Sequence, residues 1–289
     1  MRRTKLMFFF IIFFAVFLSC CSALTASIIS AELISHNHNI YCINIVYQIN
    51  KFKREIPIKI VNYEEKNIRN AVWILHGYKP QGDPYFQSPA IIINNWSLQE
   101  ISGLNHDVFF IPDMGMTIYS LCHGQEGKVS DIKILSGLVD YFKCKLRQKG
   151  TIFVGISTGA EGAIKLASCF SIKSVIVCLS GTFDYFSLPK SSDEYKIHEK
   201  IFKNSKDSWI SENPVDILRT MKKTRVYVFS EENSIFRLQA ESLIRAGLTN
   251  IDIIDKTALG KGFSHNWDFW KNPGLYSNLT LIFGETLPF

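Results

Sequence analysis

A serine lies at the centre of residues 155–159, whose sequence GISTG has the pattern G-x-S-x-G. An apolar run ends just before this segment and an Ala- and Gly-rich helical pattern begins just after it, which is where the pattern forms a tight strand-to-helix turn. Such a turn exposes the serine hydroxyl above a sheet, with a helix N-terminus beneath it. We therefore predict that Ser157 is a nucleophile; the alternative is an ordinary glycine-rich turn between a strand and a helix.

A serine hydroxyl is a weak nucleophile and needs a general base, so the seven histidines are the next candidates. His265 follows the last predicted strand, in a glycine-rich loop that can reach back over a sheet edge, and it agrees with the chain order serine, acid, histidine. We predict His265 as the base, against the alternative of a histidine in a surface loop. His76 is predicted to be structural. His36, His38 and His198 lie in polar segments and are predicted to be solvated.

Two backbone N–H groups are candidates for binding the negative oxygen that forms when a serine attacks a carbonyl. One belongs to Tyr78, which comes three residues after the end of the apolar strand at 71–75, and the other belongs to Thr158, directly after Ser157. N–H groups at these two places converge on the oxyanion in hydrolases that have this turn. Tyr78 and Thr158 are therefore the predicted oxyanion hole.

Short apolar strands that alternate with helical patterns have to hold these residues in place. Two β-rich runs at 39–49 and 55–62 predict an antiparallel hairpin, and largely apolar strands follow at 71–75, 107–111, 151–155, 174–179, 225–229 and 250–254. Helical spacing occurs at 131–149, 160–170 and 236–246, the last closed by Gly247. This order predicts an α/β fold with a mostly parallel sheet, helices on both faces and a small cap insertion at 183–223.

The N-terminus combines a basic start with a long uncharged run, which is typical of a secretory signal peptide. We predict a signal peptide at residues 1–23 and one mature domain at 24–289. The alternatives are a retained membrane anchor and a lipidated cysteine, and membrane association is expected only in those cases. The predicted location is secreted or periplasmic, that is, extracytoplasmic.

Composition and cysteine spacing exclude several other classes. Of the 289 residues 47% are hydrophobic, which is enough for a folded core, and the formal charge of +6 is spread along the chain, so nucleic-acid binding is not expected. The seven cysteines show no C-x-x-C pair and no metal-ligand spacing, and we predict neither a metal nor a cofactor. Cys169 and Cys178 are predicted to be small buried hydrophobic residues rather than disulfide partners.

Five segments taken together resemble one known family. Their sequences are LHG at 75–77, IPDMG at 111–115, the serine turn at 155–159, LSGTFD at 179–184 and SHNW at 264–267. In this order they are similar to the esterase family of α/β hydrolases that includes carboxylesterases similar to S-formylglutathione hydrolase, enterochelin esterases and mycolyltransferases. The resemblance covers residues 72–270 and implies an α/β-hydrolase fold with a Ser–acid–His triad.

The acid of that triad is where the sequence departs from the family's pattern. A motif similar to Gly-x-x-Asp follows the family's penultimate strand, whereas residues 230–233 read SEEN, with Asn233 in the acid's place. An amide can orient a histidine, but it does not stabilise the imidazolium as a carboxylate does. Because Glu is longer by one methylene, a neighbouring Glu can take this role after a one-residue shift. We predict Glu232, with Glu231 as second choice and Asp184 as third; the alternative for the two glutamates is a solvated loop.

These residues predict acyl transfer. The expected protein is an exported serine hydrolase, a carboxylesterase that forms an acyl-enzyme on Ser157 and acts on a small-molecule or lipid-like ester. One alternative is an acyltransferase that passes the acyl group to a second alcohol. The other is a non-catalytic protein of hydrolase fold that binds a ligand or a partner in the same cleft, and Asn233 and the loop with Met114 and Met116 favour it.

Overall fold

The computed structural model describes the chain in stretches separated by short gaps. The described residues are 26–37, 39–49, 52–64, 67–78, 88–115, 117–121, 130–146, 148–170, 174–203, 205–222 and 224–284. The predicted signal peptide at 1–23 and His38 lie outside them.

The strands of the described residues belong to one sheet. They are β1 (Ala26–Asn37), β2 (Ile40–Ile49), β3 (Phe52–Val61), β4 (Asn70–Leu75), β5 (Val108–Pro112), β6 (Gly150–Ile156), β7 (Val175–Leu179), β8 (Arg225–Phe229) and β9 (Asp252–Asp255). Their order across the sheet is β1-β2-β3-β5-β4-β6-β7-β8-β9. The pairings from β1 to β5 are antiparallel, and every pairing from β5 to β9 is parallel.

Helices connect these strands. They are α1 (Pro89–Asn95), α2 (Leu98–Asn105), α3 (Asp131–Lys145), α4 (Thr158–Ser168), α5 (Asp193–Phe202), α6 (Lys206–Glu212), α7 (Pro214–Thr220), α8 (Ile235–Arg245), α9 (Trp267–Trp270) and α10 (Pro273–Gly284). Two short 3-10 turns lie at Tyr185–Ser187 and Thr257–Gly260. Within the described residues, no helix is both long and apolar enough to cross a membrane.

The sheet carries a separate apolar layer on each face. One layer packs α3, α4, α7 and α8 against side chains such as Trp73 and Phe153. The other layer packs α1, α2, α9 and α10 against side chains such as Ile74 and Val154. Strands between two such layers are apolar throughout, because both of their faces are covered. The predicted α/β-hydrolase architecture, with helices on both faces of a mostly parallel sheet, is confirmed.

The predicted elements agree with the structure in most places. The antiparallel hairpin is β2 and β3, the six apolar runs are β4 to β9, and the three helical patterns are α3, α4 and α8. Gly247 has a φ of +61°, the left-handed conformation expected just after a helix end. Strand β1 and helices α1, α2, α9 and α10 were not predicted, nor were the individual helices of the insertion, α5, α6 and α7.

Strand β1 forms one edge of the sheet and is irregular. Its pairing with β2 shifts register twice, between Ile28 and Ser30 and again between Leu33 and Ser35. The side chains of Leu33 and Ile34 are exposed.

The insertion at 183–223 folds as helices α5, α6 and α7 with an apolar centre of its own. Tyr185, Leu188 and Phe202 are buried there together with Ile118, and Tyr78 is partly buried against them. The insertion is less polar inside than its sequence predicts. The prediction that His198 is solvated is wrong. This residue lies on α5 of the insertion, and its ring is fully buried against Glu161 on α4.

Two cysteines were predicted to be buried, and one of them is. Cys178 lies in the middle of β7 and is fully buried, and burial raises the pKa of its thiol. Cys169 is exposed, which corrects the prediction. It follows the last residue of α4, where the helix reaches the surface, and its thiol donates a weak hydrogen bond to the carbonyl of Lys165 at 3.4 Å.

Candidate active site

Ser157 lies in a strained turn between β6 and α4. Its backbone has φ 56° and ψ −126°, a conformation that residues with a side chain rarely adopt. A Cβ on Gly155 would lie 2.0 Å from the Gly159 carbonyl oxygen, and a Cβ on Gly159 would lie 2.2 Å from the Leu75 carbonyl oxygen. Both glycines of the motif are therefore required by direct contact. The serine side chain is held at the carboxyl end of the sheet.

His265 reaches this serine from the loop between β9 and α9. Its Nε2 lies 3.2 Å from the Ser157 hydroxyl oxygen, and its Nδ1 lies 2.7 Å from Oε1 of Glu231. The imidazole stacks on Phe236 at a centroid distance of 4.1 Å and meets the Trp270 ring edge-on at 4.9 Å. These two rings fix the plane of the imidazole between the serine and the carboxylate.

The carboxylate on His265 belongs to Glu231, which corrects the prediction of Glu232. The Glu231 side chain is fully buried, whereas Glu232 is exposed and accepts a hydrogen bond from the Gly262 N–H at 2.9 Å. The backbone of this segment lies close against Gly260: the Glu232 N–H donates to the Gly260 carbonyl at 2.9 Å, and a Cβ on Gly260 would lie 1.8 Å from the Ser230 carbonyl oxygen.

The other candidates for the acid lie elsewhere. Asn233 is exposed. Asp184 caps the 3-10 turn of the insertion, where its side chain accepts a hydrogen bond from the Phe186 N–H at 3.1 Å. The structure therefore brings together Ser157, His265 and Glu231.

The surroundings of Glu231 keep its carboxylate ionised. Burial acts to raise the pKa of this carboxyl, but the hydrogen bond and the charge of His265, together with a hydrogen bond from Ser180, outweigh burial and lower the pKa below its ordinary value. An ionised carboxylate on Nδ1 leaves Nε2 free to accept the serine proton.

The two predicted oxyanion donors lie in neighbouring segments. Thr158 is the first residue of α4. Tyr78 lies two residues after His76, whose carbonyl oxygen packs closely against Gly159. His76 is fully buried; its Nδ1 lies 2.7 Å from the Gly77 carbonyl oxygen and its Nε2 accepts a hydrogen bond from the Met114 N–H at 3.0 Å. Both ring nitrogens thus bind backbone, in agreement with the predicted structural role.

Two further side chains belong to the site although sequence reasoning gave them no role. The Ser180 hydroxyl donates a hydrogen bond to Glu231 Oε2 at 2.5 Å, and the indole N–H of Trp270 donates to the Ser180 oxygen at 3.1 Å. The available signal was the position of Ser180, a polar residue directly after a buried strand at the same sheet edge as Ser157. Among the described residues, no group of His, Cys, Asp or Glu side chains is arranged to hold a metal ion.

The sheet order and the serine turn define the α/β-hydrolase fold. The chain is similar to an S-formylglutathione hydrolase from Agrobacterium tumefaciens, with a TM-score of 0.66 and 11% identity over 91% of this chain and 100% of that one. It is also similar to esterase B from Lactobacillus rhamnosis, with a TM-score of 0.59 and 12% identity over 88% of this chain and 86% of that one. An acetyl xylan esterase from Paenibacillus sp. R4 has a TM-score of 0.58 and 11% identity over 92% and 90%.

At these identities the similarity shows the fold. No family model and no curated protein matches the sequence. The sequence-based resemblance to esterases of the α/β-hydrolase superfamily is thereby confirmed at the level of the fold.

Proposed function

We propose that the protein is a serine hydrolase that cleaves carboxylic esters through an acyl-enzyme on Ser157. The observation that carries the proposal is the continuous set of contacts from the Ser157 hydroxyl through both nitrogens of His265 to the buried carboxylate of Glu231. A strained serine, a base within hydrogen-bond reach and a carboxylate that orients the base are the parts that acyl transfer needs.

The proposed reaction has two half-reactions. The Ser157 oxygen attacks the ester carbonyl while His265 Nε2 takes the serine proton, and the tetrahedral oxyanion accepts hydrogen bonds from the N–H groups of Tyr78 and Thr158. His265 then gives the proton to the leaving alcohol, and the acyl-enzyme forms. Water repeats the sequence, which releases the carboxylic acid and restores the serine. Glu231 stays ionised throughout and stabilises the imidazolium.

Labelling with a fluorophosphonate tests the proposal, because the reagent reacts with activated serines. We expect rapid labelling of the wild-type protein and none of Ser157→Ala. A wild-type protein that is not labelled, and that binds esters without cleaving them, would instead be the non-catalytic binding protein. The carboxylate of Glu231 on His265 favours the enzyme, because an amide at Asn233 in the acid's place was one of the two observations that supported the binding alternative.

The substrate class and the acceptor of the acyl group can be determined by a direct assay. We propose a small-molecule or lipid-like ester as substrate. A series of esters of increasing acyl length, with and without an added alcohol, distinguishes hydrolysis from acyl transfer by the ratio of free acid to new ester.

We also propose that residues 1–23 direct export and that the mature domain begins at residue 24, because a basic start followed by an apolar run is the pattern of a signal peptide. N-terminal sequencing of the protein recovered outside the cytoplasm is expected to begin at Leu24. Recovery of the intact N-terminus in the membrane fraction would instead indicate a retained anchor.

A further inference from the structure

The contacts of the proposed triad continue past Glu231 into the core. Glu231 accepts hydrogen bonds on both carboxylate oxygens, from His265 on Oε1 at 2.7 Å and from Ser180 on Oε2 at 2.5 Å. Ser180 in turn accepts from the indole N–H of Trp270 at 3.1 Å. Glu231, Ser180 and Trp270 are all fully buried.

The direction of these hydrogen bonds is fixed by chemistry. An indole N–H can only donate, so the Ser180 oxygen is the acceptor of that bond and its own proton points to the carboxylate. The hydroxyl is thus held in one rotamer by Trp270, because a rotated hydroxyl would leave a buried carboxylate oxygen without a donor. A buried acceptor that lacks its donor carries a large free-energy cost.

The backbone fixes Ser180 as well. Ser180 directly follows β7 and has a φ of +56°, and its N–H donates to the Phe229 carbonyl at 2.8 Å on neighbouring β8. Trp270 is also held, because its carbonyl accepts a hydrogen bond from the indole N–H of Trp96 at 2.8 Å. Trp270 is therefore linked to both Glu231 and His265: its N–H donates to Ser180, which donates to Glu231, and its ring packs against the imidazole of His265.

We propose that Ser180 and Trp270 are positioning residues that hold the Glu231 carboxylate with Oε1 facing His265. The inference rests on the proposed esterase function. Through hydrogen bonds, Ser180 and Trp270 act on Glu231, which in turn holds the imidazole toward Ser157. The Trp270 ring also packs against that imidazole directly.

The test compares Ser180→Ala with Ser230→Ala. Ser230 is a close control because it is also buried, precedes Glu231 directly and makes no side-chain hydrogen bond within the described residues. We expect Ser180→Ala to lower kcat about 10- to 100-fold with KM little changed, since a hydrogen bond to a charged group is lost. The rate of fluorophosphonate labelling should fall by the same factor. Ser230→Ala should alter neither.

A double variant separates positioning from a merely structural role. If Trp270 acts through Ser180, Trp270→Phe should lower kcat by a smaller factor than Ser180→Ala does. The kcat of the double variant should then be close to that of Ser180→Ala, rather than lowered by the product of the two factors. The downfield NMR resonance of the His265 Nδ1 proton should shift or broaden in Ser180→Ala and stay in place in Ser230→Ala.

Two results would overturn the inference. One is a Ser180→Ala protein with wild-type kcat, labelling rate and Nδ1 resonance. The other is an equal loss in Ser180→Ala and Ser230→Ala with a matching fall in Tm, which would mean that any cavity beside Glu231 has this effect. In both cases the wild-type enzyme remains active and labelled, so the esterase proposal survives. A wild-type protein that neither reacts with the fluorophosphonate nor cleaves esters would overturn both.

Discussion

Two buried polar networks meet helix α4, and each pairs a histidine with a glutamate. The serine network consists of Ser157, Ser180, Glu231, His265 and Trp270, and the cap network consists of Glu161, Lys165, Tyr185, His198 and Glu212. In the serine network, His265 Nδ1 lies 2.7 Å from Glu231; in the cap network, His198 Nε2 lies 3.0 Å from Glu161. The two pairs are chemically alike, yet their surroundings differ.

The difference lies in the second ring nitrogen. The side chain of His265 is 29% exposed and its Nε2 faces Ser157, whereas the side chain of His198 is 1% exposed and its Nδ1 lies 2.6 Å from the Glu194 carbonyl oxygen. His198 therefore has no ring nitrogen left for a reacting group. A histidine–carboxylate pair can act as a general base only where its free nitrogen meets a nucleophile that a substrate can approach.

The cap network has the features of a structural connection. Lys165 on α4 and Glu212 on α6 form a fully buried ion pair at 3.0 Å, and Glu212 also accepts a hydrogen bond from the Ser120 hydroxyl at 2.5 Å. Tyr185 donates to Glu161 at 2.7 Å. The network thus joins the insertion to the helix that follows Ser157.

The largest expected effect is in the serine network. Ser157→Ala should lower the kcat of ester hydrolysis by on the order of a million-fold, as loss of a triad member does in serine proteases, because the variant lacks the hydroxyl that attacks the ester. The measurement is the hydrolysis rate of a short-chain ester, with Tm as the control for folding. Activity near the wild-type level would contradict the assignment of Ser157.

The next largest expected effect on kcat distinguishes two adjacent carboxylates, Glu231 and Glu232. Glu231→Gln should lower kcat by about ten-thousand-fold, the cost of replacing the triad carboxylate by an amide in serine proteases. Glu232→Gln is the matched control and should change kcat little, because Glu232 is exposed on the Gly262 N–H. Asn233→Asp should also be neutral. A severe loss in Glu232→Gln with an unaffected Glu231→Gln would reverse the assignment of the acid.

The cap network should affect stability rather than chemistry. Lys165→Met leaves the buried Glu212 carboxylate without its cation and should lower the free energy of unfolding by about 3–5 kcal/mol. Lys196→Met is the control: its ion pair with Asp193 is exposed, so the loss should stay below about 1 kcal/mol. Urea unfolding gives both values. The fraction that remains folded should still react with the fluorophosphonate at close to the wild-type rate, and a large fall in that rate would give the cap network a catalytic role.

A buried carboxylate outside both networks, Asp107, sharpens the comparison through its pH dependence. Burial raises the pKa of Asp107 to about 7, although Asn70 donates two hydrogen bonds to it. Because this pKa is higher in the folded than in the unfolded state, the folded state binds the extra proton, and stability should fall as pH rises from about 4 to about 7. The opposite sign holds for Glu231, whose pKa is lowered. In Asp107→Asn, the slope of the urea unfolding midpoint against pH should become less negative. An unchanged slope would contradict the raised pKa of Asp107.

Much of the fold follows from the sequence because the parallel strands are apolar on both faces. Strand β1 was missed since it lies at an edge, is exposed over much of its length and continues the uncharged N-terminal run. Helix α10 was missed because its sequence is apolar nearly all round, without the polar stripe that marks a surface helix.

Two residues of the candidate site were predictable, because a local motif or the order along the chain points to each of them. The serine turn identifies Ser157, and chain order identifies His265. The choice between Glu231 and Glu232 was not predictable, because their partners lie far along the chain: Glu231 contacts His265, 34 residues away, and Glu232 contacts Gly262, 30 residues away. The burial of His198 likewise depends on Glu161, a partner 37 residues away on another helix.

The irregular edge strand β1 has a consequence for self-association. A long, regular edge strand offers unpaired backbone groups on which a second molecule can add a strand, and apolar side chains beside it favour aggregation. Strand β1 is 12 residues long and exposes Leu33 and Ile34. Its two register shifts interrupt the repeat of N–H and carbonyl groups along that edge, one of them beside these two side chains. A neighbouring molecule can therefore match only short stretches of β1, which opposes stacking of copies edge to edge.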